Sequence, residues 1–310
     1  MIDRSDVEAA RARLGDRLRL TPVLSATVIA PSGAVPVTFK LEQLQFGGSF
    51  KTRGSLNALL HSAAAGSMAH EVVIASGGNA GIAAATAAAM QAVRCVVVVP
   101  VTAPQAKVDT LHRLGAEVFL HGATYAESFE RATELAQDRR ALQLHAYDLP
   151  DVVAGAGVIG LELAEQAPEA TSILVAVGGG GLISGIATAV GSTRRVVGVE
   201  PDGVPTLHAA MANGAPIEVE VNSIAADALG ASKLGDIAMS VVQREGVASV
   251  LVSDDAIVAA RGYLWNEFRI MVELAGATAL AAIMTGRYVP TDGERPVIVL
   301  CGANTDPATI

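Results

Sequence analysis

Short runs of β-branched residues alternate with alanine-rich segments along almost the entire chain, and few folds accommodate such an alternation. The runs are continuously apolar, which is typical of strands that are buried on both faces of a parallel sheet. Helices between such strands cover the two faces. The pattern therefore predicts an α/β protein with open, mostly parallel twisted sheets flanked by helices. Examples of the apolar runs are EVVIAS (71–76), CVVVVP (95–100), SILVAV (172–177) and RPVIVLCG (295–302).

The composition excludes several classes of protein. Hydrophobic residues make up 51% and charged residues 17% of the 310 residues, as in a globular chain with a large core. A net charge of −9 without any basic tract argues against a nucleic-acid partner. The longest apolar region is interrupted by Gln91 and Arg94, so we expect no membrane span. The charged N-terminal segment lacks the apolar run of a secretory signal, which predicts a cytoplasmic protein.

Three glycine-rich segments follow predicted strands. They are QFGGSFK (45–51), SGGNAG (76–81) and GGGG (178–181). In open parallel sheets ligands bind beyond the carboxyl ends of the strands, which is where these segments lie. The three junctions are therefore the candidate binding loops.

The tetraglycine, Gly178–Gly181, predicts an anion site, because it presents free backbone amides at the start of a helix. A nucleotide-triphosphate loop would need Lys followed by Ser or Thr after its last glycine, and Leu182 and Ile183 stand there instead. A dinucleotide site remains as an alternative, since Glu200 resembles a ribose-binding acid. A phosphate of mononucleotide size fits better.

The segment SGGNAG is a second possible anion site. Its backbone amides and the Ser76 hydroxyl could hold a carboxylate. Asn79 stands at the start of the following helix, where it could either cap that helix or donate a hydrogen bond to a ligand. Taken alone the segment favours capping, whereas a neighbouring phosphate site favours a ligand with two separate anionic groups.

Lysine is scarce, and only Lys51 has an unusual setting among the four lysines. We expect solvated surface positions for Lys40, Lys107 and Lys233. Lys51 follows Phe50 and opens a helix at a candidate binding loop, where apolar surroundings would lower its proton affinity as a Schiff-base lysine requires. A phosphate site, a carboxylate site and an activated lysine together indicate pyridoxal phosphate acting on an amino acid.

These motifs resemble, in order and over nearly the whole chain, the serine/threonine dehydratase group of fold type II pyridoxal-phosphate enzymes, which also contains serine racemase. The matching segments include FKLEQLQFGGSFKTRG, SGGNAGIAAATAA, VAVGGGGLISG, VELAGATALAA and LCGANTD. The resemblance implies a large cofactor-binding domain formed by residues 1–52 and 147–310, a small mobile domain formed by residues 53–146, and a homodimer.

The resemblance also implies roles for individual residues. Lys51 would form the Schiff base with the cofactor and move the Cα proton of the substrate. Residues that contact the cofactor ring, its 3-hydroxyl and its pyridine nitrogen would be Phe50, Asn79 and Cys301. The cofactor phosphate would be held by Gly178, Gly179, Gly180, Gly181 and the amide of Leu182. The amino-acid substrate would be bound by Ser76, Gly77, Asn79, Ala80 and Glu273.

Two departures from the family pattern refine the expected activity. Gly77 occupies the position where serine racemase has the serine that acts as acid and base on the opposite face of the cofactor, so we expect elimination without appreciable racemisation. Thr206 replaces an aspartate of a divalent-cation site found in some members, so we expect no metal. The predicted function is conversion of L-serine, L-threonine or a related β-hydroxy amino acid to a 2-oxo acid and ammonia. The alternatives are β-replacement as in cysteine synthase, racemisation, or a non-catalytic nucleotide-binding protein.

Overall fold

The computed structural model describes residues 1–66 and 69–309, which form two β-sheets flanked by helices. The strands are β1 (Val23–Ala30), β2 (Gly33–Lys40), β3 (Glu71–Ala75), β4 (Arg94–Val99), β5 (Glu117–Leu120), β6 (Leu142–Leu144), β7 (Ser172–Ala176), β8 (Arg195–Pro201), β9 (Ala248–Val252) and β10 (Pro296–Val299). The helices are α1 (Arg4–Leu14), α2 (Lys51–Ala64), α3 (Asn79–Met90), α4 (Gln105–Arg113), α5 (Tyr125–Arg139), α6 (Pro150–Gln166), α7 (Gly181–Val190), α8 (Thr206–Asn213), α9 (Ala226–Leu229), α10 (Asp236–Glu245), α11 (Asp254–Phe268) and α12 (Leu274–Met284).

The strand order confirms the predicted α/β class. One sheet has six strands in the order β1-β2-β10-β7-β8-β9, and the other has four strands in the order β5-β4-β3-β6. Every pair is parallel except the hairpin of β1 and β2. Strands β3, β7 and β10 are buried along their whole length, which explains their continuously apolar sequences.

The four-stranded sheet lies between residues 71 and 144, inside the segment assigned from the sequence to a small domain. The division into two domains, and the mobility of the smaller one, stay predictions. Within residues 1–66 and 69–309, none of the helices has the length and apolarity needed to cross a lipid bilayer.

Glycines allow helix α6 to approach helices α2 and α7 closely. A Cβ atom at Gly155 of α6 would lie 2.5 Å from the backbone oxygen of Arg53 in α2. One at Gly157 would lie 2.7 Å from the backbone oxygen of Gly185 in α7. Helices α2 and α7 could not move away from α6 without opening the core. These glycines therefore fix the position of α2, the helix that begins with Lys51.

A buried network of four charged side chains lies behind α2, and it corrects the expectation for Lys40. The Lys40 side chain is fully buried, and its Nζ donates hydrogen bonds to Glu162 Oε2 at 2.6 Å and to the Thr21 carbonyl at 2.8 Å. Arg53 donates from Nε to Glu42 Oε2 at 2.8 Å and from Nη1 to Glu162 Oε1 at 2.6 Å. The sequence-based surface assignment of Lys40 is therefore wrong.

The charges of this network balance, with two cations and two carboxylates. Burial opposes ionisation of Glu42, but the adjacent Arg53 guanidinium outweighs burial and holds the pKa of that carboxyl below its usual value. The network joins β2, the segment after β2, α2 and α6. It therefore holds the first turn of α2 against two other elements of the fold.

Candidate active site

One cavity of about 440 Å³ opens between the carboxyl ends of strands from the two sheets. Every residue to which the sequence assigned a role in binding or catalysis lines this cavity. These residues are Phe50, Lys51, Ser76, Gly77, Asn79, Ala80, Gly178, Gly179, Gly180, Gly181, Leu182, Glu273 and Cys301. The structure thus brings the three glycine-rich junctions together, as the rule for parallel sheets predicts.

Lys51 enters the cavity from the first residue of α2. Its Nζ donates a hydrogen bond to the Ala146 carbonyl at 2.9 Å and lies 5.1 Å from the centre of the Phe50 ring. Burial lowers the pKa of the Lys51 ammonium to about 8. Among the described residues that line the cavity, Lys51 carries the only lysine or arginine side chain. An amine with this pKa is far more available as a nucleophile and base near neutral pH than a surface lysine.

The tetraglycine loop has no room for side chains. A Cβ atom at Gly179 would lie 2.3 Å from Cγ of Tyr147, and one at Gly181 would lie 2.7 Å from the Tyr147 carbonyl oxygen. Gly180 has a φ of +89°, a conformation that favours glycine, and α7 begins directly after it. The loop therefore forms a bare backbone cradle at a helix N-terminus, which fits a phosphate group.

The Asn79 side chain does not cap its own helix. Gly78 is the N-cap residue of α3, and no side chain caps that helix end. Instead, Asn79 Nδ2 donates to Glu273 Oε1 at 2.6 Å, and Asn79 Oδ1 accepts from Asn304 Nδ2 at 2.7 Å. The capping alternative is therefore wrong, and the Asn79 amide belongs to the wall of the cavity.

Two more titratable groups face the cavity. Burial raises the pKa of the Glu273 carboxyl to about 7. Burial also raises the pKa of the Cys301 thiol above its ordinary value, so this thiol stays neutral. A neutral thiol fits opposite an unprotonated pyridine nitrogen. The phosphate cradle, the activated lysine and this thiol are together compatible with pyridoxal phosphate.

The loop after β10 is joined to the loop before Lys51 by main-chain hydrogen bonds. The Phe50 amide donates to the Cys301 carbonyl at 3.1 Å, and the Ala303 amide donates to the Gly48 carbonyl at 2.9 Å. The Glu273 amide donates to the Gly302 carbonyl at 3.1 Å. The lysine, the thiol and the Glu273 carboxyl therefore have fixed relative positions.

Glu200 lies outside the cavity lining and is engaged elsewhere, which removes the dinucleotide alternative. It is fully buried, and it accepts hydrogen bonds from the backbone amides of Leu207 at 2.6 Å and His208 at 2.9 Å, in the first turn of α8. The Thr206 hydroxyl lies 3.0 Å from the same carboxylate. Glu200 therefore anchors a helix. In the described part of the chain, no three His, Cys, Asp or Glu side chains are placed to hold one metal ion.

Several residues of the cavity region were not singled out from the sequence. Tyr125, Tyr147 and Asp227 line the cavity, and Asn304 contacts Asn79 from behind. The position of Asn304, just beyond the carboxyl end of β10, was the available signal for its role. The other three residues carry no comparable signal, because Tyr125 begins α5, Tyr147 lies in the segment after the short strand β6, and Asp227 lies on α9.

Lys107 differs in part from its expected solvated position. Its side chain is one-third exposed, at 33%, and it forms an ion pair with Asp227. Lys107 lies on α4, beside the four-stranded sheet, whereas Asp227 lies on α9. The pair therefore joins α4 to α9, whose Asp227 lines the cavity. Lys233 is exposed, as predicted.

Comparison with known proteins places this chain in a family. The signature of the family described as "Pyridoxal-phosphate dependent enzyme" matches residues 16–302. An L-threonine ammonia-lyase of Geobacter sulfurreducens is 36% identical over 307 residues, which are 98% of this chain and 76% of that protein. A phenylserine dehydratase of Ralstonia pickettii is 34% identical over 316 residues, which are 99% of this chain and 94% of that protein.

Solved structures agree with the sequence relatives. The crystal structure of serine racemase from Dictyostelium discoideum has a TM-score of 0.88 at 30% identity, covering 98% of this chain and 99% of that one. The fold is thus shared along almost the full length of the two chains. The chain belongs to the pyridoxal-phosphate dependent enzymes, and within them to the serine/threonine dehydratase group of fold type II.

Proposed function

We propose that this enzyme converts a β-hydroxy amino acid, such as L-serine or L-threonine, to a 2-oxo acid and ammonia by α,β-elimination. The observation that carries the proposal is the position of Lys51, whose amine enters the cavity between the tetraglycine loop and the SGGNAG loop. The names of the relatives support it, since they include an L-threonine ammonia-lyase and a phenylserine dehydratase.

Different residues of the chain would have different roles in this reaction. The tetraglycine amides would hold the phosphate of the cofactor, and the amides of the Ser76–Asn79 loop would bind the substrate carboxylate. Once bound, pyridoxal phosphate supplies an electron sink that makes the Cα–H bond acidic. The Lys51 amine, with its lowered pKa, accepts the Cα proton. The Asn79 amide, which is hydrogen-bonded to Glu273, would contact the 3-oxygen of the cofactor.

A substrate panel tests the proposed reaction directly. We expect the purified enzyme to show the visible absorbance of the bound cofactor and to release a 2-oxo acid from L-serine, L-threonine or phenylserine. O-Acetylserine with sulfide serves as the comparison, because a β-replacement enzyme would form cysteine from that pair. Cysteine formation without 2-oxo acid from any β-hydroxy amino acid would contradict the proposal.

Gly77 leads us to predict that the enzyme does not racemise its substrate. Gly77 lines the cavity without a side chain, whereas a racemase needs a proton donor on the face opposite Lys51. We expect serine recovered from a partial reaction to remain L-serine, as measured by chiral chromatography. Accumulation of D-serine with the unmodified enzyme would show this prediction to be wrong.

Gly77→Ser is the matched variant for this experiment. A Cβ atom at residue 77 would lie 3.2 Å from Cγ1 of Val99, so the site accommodates a serine after a small adjustment. The new hydroxyl restores a possible proton donor on the opposite face. We expect D-serine to form with this variant alone.

A single methyl group in the phosphate cradle is expected to weaken cofactor binding. In Gly179→Ala, the new Cβ meets the Tyr147 ring at 2.3 Å, so the loop or the ring must move. Overpacking costs about 1–3 kcal/mol, which corresponds to about 5- to 150-fold in the dissociation constant. Titration of the cofactor-free protein with pyridoxal phosphate measures the change. Gly262→Ala is the control, because a Cβ atom there has no neighbour within 4 Å.

We also propose that the enzyme forms a homodimer through the exposed apolar side chains of β1 and α11. Ile29 of β1 is 64% exposed, and Trp265 of α11 is 41% exposed. The Tyr263 hydroxyl of α11 lies 3.5 Å from the Thr27 carbonyl of β1, so the two elements are adjacent. Light scattering coupled to size-exclusion chromatography tests the proposal, and a monomer at all concentrations would contradict it. A cytoplasmic location stays a prediction from the sequence.

A further inference from the structure

A chain of three polar side chains runs behind the cofactor site, from Gly47 to Glu273. The Asn304 amide nitrogen donates to the Gly47 carbonyl at 2.8 Å and to Asn79 Oδ1 at 2.7 Å. Asn79 Nδ2 in turn donates to Glu273 Oε1 at 2.6 Å. We call this set the amide chain.

The amide chain has one consistent direction. A side-chain amide can rotate by half a turn and exchange its nitrogen and oxygen. The Gly47 carbonyl can only accept, so Asn304 must direct its nitrogen toward that carbonyl. The second hydrogen of the same nitrogen then points at Asn79, which must present its oxygen. The Asn79 nitrogen is therefore directed toward Glu273 and the cavity.

The Glu273 end of the amide chain does not impose this direction at every pH. An ionised carboxylate only accepts, but a protonated carboxyl can also donate. Burial brings the pKa of Glu273 to about 7, so both forms are present near neutrality. Through their charges, Asp227 raises and Lys51 lowers the pKa of this carboxyl, whereas the nearby Cys301 thiol is neutral. The Asn304 end has no titrating group, so it imposes the same direction at every pH.

We propose that Asn304 is a positioning residue that holds the Asn79 amide with its nitrogen toward the cofactor. This inference rests on the proposed function, in which Asn79 contacts the 3-oxygen of pyridoxal phosphate. One hydrogen of Asn79 Nδ2 is bound to Glu273, and because Asn79 lines the cavity, the second hydrogen of this nitrogen would donate to the 3-oxygen. A fixed donor there stabilises the deprotonated 3-oxygen, whereas a rotated amide would present an oxygen and favour the protonated form.

Close backbone contacts around Asn304 indicate that its side chain has a fixed position. Gly48 has a φ of +72°, and a Cβ atom at this residue would lie 2.4 Å from Asn304 Oδ1. The Ala303 amide donates to the Gly48 carbonyl at 2.9 Å, which closes the loop around the Asn304 side chain. Gly47 and Gly48, which precede Ser49, therefore leave room for the Asn304 side chain in the same loop that leads to Lys51.

The absorbance spectrum of the cofactor tests this proposal, because it depends on the protonation of the 3-oxygen. In Asn304→Ala and Asn304→Asp, we expect the ratio of the long-wavelength to the short-wavelength band to fall about fivefold, the effect of about one hydrogen bond. Asn304→Asp keeps the shape of the side chain and, in its ionised form, cannot donate, so an effect shared by both variants identifies the loss of donation, not the loss of packing, as the cause. Asn213→Asp, at an exposed asparagine of α8, controls for the added charge.

Two outcomes overturn the proposal. The first is an unchanged band ratio in both Asn304 variants while the wild-type protein shows the cofactor bands. The second comes from crystal structures of the cofactor-free wild type and Asn304→Asp, in which we expect the Asn79 amide to separate from Glu273. In crystals grown at a pH well above the Glu273 pKa, where this carboxylate only accepts, an unchanged Asn79 to Glu273 hydrogen bond in that variant would overturn the inference. A wild-type protein without cofactor bands would instead overturn the proposed function and leave the crystallographic comparison to decide the role of Asn304.

Discussion

Replacing Lys51 with alanine is expected to abolish 2-oxo acid formation from L-serine or L-threonine. In the proposed mechanism the substitution removes both the amine that would bind the cofactor covalently and the base for the Cα proton, and general-base catalysis alone contributes about 10²- to 10⁴-fold to a rate. The variant is expected to lose the visible Schiff-base absorbance of the bound cofactor. Steady-state assays and absorbance spectra of the purified protein measure the two effects.

Lys233→Ala is the matched control for this experiment, because Lys233 is exposed and lies outside the cavity lining. It is expected to keep both the absorbance and the rate of the unmodified enzyme. A Lys51→Ala protein that retains the chromophore and deaminates serine at the wild-type rate would show that Lys51 has been assigned the wrong role.

Replacing Arg53 with methionine is expected to lower the free energy of unfolding by about 3–5 kcal/mol, the usual cost of removing one partner from a buried ion pair. Arg53 is 1% exposed and contacts both Glu42 and Glu162. Without it, two buried carboxylates share the single charge of Lys40. Methionine fills much of the same volume, so the loss comes mainly from the uncompensated charge. Urea denaturation followed by circular dichroism measures it.

Arg11→Met provides the comparison for this prediction. Arg11 forms an ion pair with Glu165 at 2.6 Å, but both side chains are about half exposed, at 44% and 59%. Exposed pairs contribute about 0–1 kcal/mol, so this variant should denature close to the wild-type midpoint. Equal losses of unfolding free energy in the two variants would mean that burial does not determine how much these ion pairs contribute to stability.

The sequence was sufficient to predict most of the fold and the location of the site, because both depend on local patterns. Fully buried strands such as β3 and β7 are continuously apolar, and the glycine-rich loops follow them directly. The carboxyl ends of parallel strands meet at one edge, so separate motifs such as SGGNAG and GGGG had to converge. That convergence follows from topology and needs no knowledge of side-chain contacts.

Lys40 shows where such reasoning fails. Alternation along β2 placed this lysine on a polar face, but that face is covered by α6, which lies more than a hundred residues later in the chain. The partner carboxylate, Glu162, is 122 residues away, so no local pattern contains the contact. Buried ion pairs between distant elements are predictable only once the packing is known.

Asn79 shows a different limit. Position alone suggested a helix cap, because asparagine is common at the start of helices. Glu273 and Asn304, which bind its side chain, come from segments 194 and 225 residues later. An asparagine that caps a helix and an asparagine that lines a binding cavity can have the same local sequence, and only their tertiary contacts distinguish them.

The bare backbone of Gly178–Gly181 determines how this enzyme can be inactivated by mutation. Most binding sites are weakened when atoms are removed, but this loop offers no side-chain atoms for removal. At all four positions, an added Cβ would come within 3.0 Å of a neighbouring atom. Every substitution of one of these glycines therefore adds side-chain volume to the loop. If such a substitution inactivates the enzyme, we expect activity to return on reversion to glycine or on replacement of a neighbour such as Tyr147 by a smaller residue. We do not expect added polar contacts to restore it.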